Sequence, residues 1–168
     1  MARNSRRRTK RKPLTKDQLL PMSNDIIRTL SLEGHVALSV LRSGHGDAVQ
    51  IGRLAQIVYL SYFMRDVTAE GSDSEQFRVA EIVVDECVTR ALNGERWALN
   101  DEDLAAVERI LLLYDAQLAA IPTYRFADAW RQFQRVVIKH YETPIEGSRV
   151  DASAIGVDAA NALFAKLS

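Results

Sequence analysis

The sequence predicts an all-α protein, a compact bundle of four main helices with shorter helices toward the ends and a disordered basic arm in front. Three observations predict it. Apolar residues recur at three- and four-residue steps over several long segments. Capping residues stand ahead of those segments, and Gly or Pro behind them. No stretch alternates apolar and polar residues as a half-buried strand does. The division expected is an arm over residues 1–13, a helical domain over 14–141, and a linker with a weak C-terminal helix over 142–168.

Met1 to Pro13 has almost no apolar content to bury, and its like charges repel one another, so it is expected to be disordered when free. Thr15 caps a short helix that Pro21 ends. Ser23 opens the next element. Leu32, Val36 and Val40 form one stripe there, with Leu38 and Leu41 beside it, Ser31 as a possible restart and Gly34 as a weak point. Gly44 suits a left-handed cap at its end.

Asp47 caps the clearest helix, in which Ile51, Leu54, Ala55, Val58, Tyr59, Tyr62 and Phe63 define a core face. Glu70, Gly71 and Ser72 make a turn. Asp73 and Gln76 then have capping-box spacing ahead of the stripe Phe77, Ala80, Val84, Cys87, Val88 and Ala91. Asn93 and Gly94 close that helix. Asn100 caps the next, with Asp101, Glu102 and Asp103 at the positive end of its dipole. Its stripe of Leu104, Val107, Leu111, Tyr114 and Leu118 is widened by Ile110, Leu112 and Leu113, which predicts a central position. After Pro122, Thr123 is expected to cap a helix with Phe126, Trp130, Phe133 and Val137 on one face. Glu142 to Val150 contains Pro144 and Gly147 and reads as linker, and a last helix includes Ala159 to Leu167.

Composition excludes some classes. Hydrophobic residues make up 47% and charged residues 26% of the 168, a globular balance. A single cysteine, Cys87, leaves no intrachain disulfide and fits a reducing compartment. No apolar run reaches the roughly 18 residues of a spanning helix. The basic N-terminus lacks the apolar stretch of a secretory leader, because Lys16, Asp17 and Gln18 separate Leu14 from Leu19 and Leu20. A cytoplasmic protein without membrane contact is the expectation.

Candidate chemistry is sparse. His35, His45 and His140 do not stand at the spacing of a helical ligand pair, so neither metal nor cofactor is expected. Cys87 lies on an apolar stripe and reads as a core residue. Glu81, Asp85 and Glu86 read as a solvated face, and the aromatic stripes as core. Val150 to Asp158 has a faint helix-turn-helix look without the preceding helix that such a unit requires.

The charge distribution is more informative. The chain is neutral, with 22 basic and 22 acidic groups. Residues 1–16 nevertheless hold Arg3, Arg6, Arg7, Arg8, Lys10, Arg11, Lys12 and Lys16 and no acidic group. The other 152 residues therefore hold 14 basic and 22 acidic groups, a net of −8. Flexible cationic arms bind polyanions by charge neutralisation and counterion release.

The stretches Leu30 to Leu38, Gln50 to Leu60 and Asp115 to Pro122, with Pro13 to Leu19 after a basic arm, resemble a group of small bacterial helical proteins, some of them classed as Fis-type transcription regulators. The resemblance implies a bacterial cytoplasmic protein. No site residues follow from it.

The expected function is non-enzymatic and regulatory. The eight arm cations contact DNA or RNA without reading sequence, and the helical body supplies a partner or homodimer surface. Two alternatives stand beside it. One is a protein–protein interaction module of mobile-element or host-interaction type, its arm docked on an acidic partner. The other is an enzyme with a pocket between helices.

Overall fold

The computed structural model describes residues 13–139 and 143–150, and among them the protein is an all-α bundle. Six α-helices follow in order: α1 Lys16–Leu19, α2 Asn24–Arg42, α3 Ala48–Phe63, α4 Ser74–Leu92, α5 Asp101–Ala120 and α6 Thr123–Lys139. A 3-10 turn at Ala69–Ser72 leads into α4.

Local chemistry explains most helix ends. Thr15, Asp47 and Asn100 each form a reciprocal capping box, with Gln18, Gln50 and Asp103 respectively. Ser23 caps α2 by accepting the Ile26 N–H at 3.4 Å. Gly44 follows the end of α2 at φ +71, with the amide of His45 on the carbonyl of Val40 and that of Gly44 on Leu41. Gly94 repeats this arrangement after α4 at φ +88. Both are six-to-one, five-to-two closures that place the left-handed residue where glycine carries no Cβ penalty.

Two caps differ from expectation. Asp73 does cap α4, accepting from Glu75 N–H at 3.0 Å, but Gln76 turns its amide back onto the carbonyls of Glu70 and Asp73 and makes no capping box. The Thr123 hydroxyl does not cap α6. It donates to the carbonyl of Leu20 at 2.9 Å, alongside the Thr123 N–H.

Helices α2 to α5 enclose the core, and α3 is the hub, packing on α2, α4, α5 and α6. From Ile51 to Tyr62, α3 is buried all round apart from half-buried Arg53. The wide stripe of α5 predicted that central role for α5. There Leu112 points outward at 67% exposure, so α5 is one wall of the bundle.

Helix α2 runs unbroken through Ser31 and Gly34, and its buried line is Gly34, Ala37, Leu38 and Leu41. Leu32 and Val36, expected in the core, are 60% and 50% exposed. Gly34 explains the rotation. A Cβ there would lie 2.7 Å from Ile57 and 2.8 Å from Leu111, so α2 meets α3 and α5 through a glycine contact.

Helix α6 lies outside this four-helix core, on α3, and α1 packs on α6. Phe126, Trp130 and Phe133 are only partly buried, whereas Ala129 beneath them is fully covered. The side chain of Val137 falls outside the described residues. Residues 143–150, which read as linker, lie on the core and bury Ile145. The final helix expected around Ala159 to Leu167 lies outside the described residues.

Candidate nucleic-acid interface

Of the eight arm cations, Arg3, Arg6, Arg7, Arg8, Lys10, Arg11 and Lys12 lie outside the described residues. Lys16 is exposed on α1. The attachment of that helix is well defined. Leu20 accepts two hydrogen bonds from Thr123, and Pro21 pairs with Pro122 in an isolated antiparallel bridge. The arm therefore joins the body at the N-terminal end of α6.

Helix α6 is the most basic of the helices. Arg125, Arg131, Arg135 and Lys139 stand against Asp128 alone. Its aromatic side is stapled to α3, with the Phe133 ring 6.4 Å from that of Tyr59 and 5.7 Å from that of Trp130. The opposite side runs through Arg131 and Arg135 in exposed positions, and Lys139 falls in the same register. Asp128 pairs with Arg131, and Asp66 pairs with Arg125 from the loop after α3. That contact holds the Asp66 carboxyl below its usual range, with the Arg125 hydrogen bond as the largest cause. Helices α4 and α5 have the opposite sign. Helix α4 carries four acidic and two basic residues, and α5 five and one.

One acidic expectation is corrected. Glu81 is not on a solvated face; it is 1% exposed. Its carboxylate accepts the Tyr59 hydroxyl at 2.8 Å and the Ser148 hydroxyl. Burial, and then the neighbouring Glu81 carboxylate, push the Tyr59 phenol well above its usual range, so it stays a donor. The same seam holds residues 143–150. The Glu146 N–H donates to the Tyr62 hydroxyl at 3.1 Å, and Arg78 donates to the Glu146 carbonyl at 2.9 Å. A sequence signal for Glu81 exists: it is four residues after Phe77 and three before Val84, on the buried stripe. Asp85 is half-buried and Glu86 exposed.

The other polar clusters are structural bridges. His35 meets Asp115 at 2.9 Å and Arg42 meets Glu108, both joining α2 to α5. Arg53 links Glu33 at 3.1 Å with the buried Gln56 at 2.7 Å. Asp103 does more than favour the dipole of α5, because it is buried and ties Arg90 of α4 at 3.2 Å. Gln117, also buried, donates to the Ser61 carbonyl at 3.0 Å. Cys87 is fully buried, as its stripe predicted, and burial pushes its thiol up. A shallow cleft of about 650 Å³ at the connection from α4 to α5 is lined by Arg90, Arg96 and Asn100 among others.

Among the described residues no group of three or more His, Cys, Asp or Glu side chains could hold a metal ion. His140 and the helix-turn-helix-like stretch after Val150 lie outside them. No described helix is long and apolar enough to cross a membrane. Comparison with protein-family models, curated proteins and solved structures finds no match to the chain.

Proposed function

We propose that the protein is a non-enzymatic, cytoplasmic binding protein of regulatory type, whose arm contacts the phosphate backbone of nucleic acid without reading sequence. One observation carries the proposal: eight cations and no acid in residues 1–16, joined to a body of net charge −8. Arginine forks two charge-assisted hydrogen bonds onto phosphate, and an extended arm can follow a backbone without a preformed pocket. The commitment of Glu81 to Tyr59 and Ser148 supports a structural role for this buried carboxylate. The helical body then serves as a surface for a partner or a second copy.

The test is titration of labelled DNA and RNA with the intact chain and with a full-length variant in which the eight arm cations are glutamine. About five phosphate contacts give a slope near −4.5 in log affinity against log salt on duplex, and near −3.5 on single strands. The glutamine variant loses most of that slope, and sequence preference is slight for both proteins. Equal affinity of the two proteins, or no binding by the intact chain at about 50 mM salt, removes nucleic acid as the arm's target. An acidic protein surface then becomes the leading partner.

A further inference from the structure

The arm is joined to the end of α6, and α6 is the helix whose charge matches that of the arm. Lys16 belongs to α1, α1 packs on α6, and the Leu20–Thr123 hydrogen bonds fasten the junction. Past that junction, the side of α6 opposite Ala129 and the aromatic residues carries Arg131 and Arg135 one turn apart. Lys139 stands one turn further on. Arg131 is 63% exposed at the side chain although it touches Asp128. The eight residue steps from Arg131 to Lys139 rise about 12 Å, a length over which duplex DNA presents roughly seven charges.

We propose that this outward face of α6 is a second phosphate-binding surface, engaged by the same nucleic acid that the arm holds. The inference rests on the arm reading above and adds an orientation to it. Helices α4 and α5 together carry nine acidic and three basic residues, so a polyanion is repelled from that side of the body. The arm root and α6 present the sign that attracts it. The nucleic acid lies along α6 from the junction of Leu20 with Thr123, and the contact remains to the backbone alone.

The experiment measures the salt dependence of binding to a short labelled DNA duplex for four full-length proteins: the native chain, R131Q/R135Q, R135Q alone and a control, R96Q/R109Q. The control removes the same charge from exposed positions on the acidic side. The α6 double variant is expected to bind more weakly than the control, with a slope shallower by about 1.8, and R135Q by about 0.9. Circular dichroism checks that each variant folds, and the single variant keeps the test open should the double fail to. If the α6 variants match the native chain, or lose no more than the control, the α6 surface is overturned and the arm reading survives. A native chain that does not bind at low salt overturns both.

Discussion

Helices α5 and α6 follow one another across Ile121 and Pro122, yet they are opposite in charge and unequal in burial. Helix α5 carries five acidic residues and one basic, and it buries Leu104, Val107, Ile110, Leu111, Leu113, Tyr114 and Leu118 in the bundle. Helix α6 carries one acidic residue and four basic, and its aromatic residues are half covered. A helix that walls the core has its composition set by packing on one side and by solvent on the other. A helix laid on the outside has more surface left over, and on α6 that surface is cationic where the rest of the body is acidic. Closeness in sequence does not give the two helices the same charge or the same depth of packing.

The largest expected effect breaks the comparison if it fails. Leu118 on α5 is fully buried. Leu118→Ala is expected to cost about 3–5 kcal/mol through lost transfer energy and the cavity left behind. Phe126→Ala on α6 removes a larger side chain but one only partly buried, and is expected to cost about 1–2 kcal/mol. Urea unfolding of both variants is the measurement. Equal losses would mean that α6 belongs to the core as fully as α5 does.

A middle-sized effect concerns the seat of α6. Tyr59 carries the Phe133 ring on one side and donates to Glu81 on the other. Glu81→Leu keeps the volume but leaves two hydroxyl groups, those of Tyr59 and Ser148, without their acceptor, at a cost of about 2 kcal/mol. Adding Tyr59→Phe is expected to return part of that loss, because one orphaned donor disappears. A double-mutant cycle followed by chemical denaturation reads the coupling. Purely additive losses would show that the carboxylate is not held through Tyr59.

The smallest effect lies at the ion pair that ties α6 to the loop after α3. The carboxyl of Asp66 is held below its usual range by Arg125, so the contact contributes stability at pH values above the ordinary carboxylate pKa. That contribution is lost as pH falls through the lowered folded-state value. The Asp66 side chain is 65% exposed, so solvent screening limits the contribution to about 0.5 kcal/mol. Asp66→Asn is expected to lower the melting temperature slightly at neutral pH and to leave it unchanged in strong acid. A difference that grows on acidification would assign the lowered pKa to another cause.

Helix boundaries were the most legible part of the chain, for a local reason. Thr15, Asp47 and Asn100 satisfy amides within three residues of themselves, and Gly44 and Gly94 adopt a conformation other residues resist. The burial of Cys87 was legible because its neighbours at helical spacing are apolar. Within the candidate interface the arm's charge needed no structure to be seen, and Arg131 and Arg135 were visible as charges without a known side. The charge of Glu81 predicts a solvated face, whereas its position on the apolar stripe buries it. The apolar character of Leu32 and Val36 predicts burial, but α2 meets its neighbours along a line through Gly34 and leaves both exposed.

By itself the sequence determined the helical class, the order and approximate ends of α1 to α6, and the segregation of a cationic arm from an anionic body. These depend on residue type, on hydrogen bonds spanning a turn and on simple charge count. Only the tertiary structure decided that α3 is the hub, that α6 rides outside the four-helix core, that Glu81 is enclosed by Tyr59 and Ser148, and that the arm is rooted beside the most basic helix. Those facts depend on which distant surface covers a given face. Leu20 meets Thr123, and Tyr59 meets Glu81 and Phe133, across separations that no local periodicity encodes.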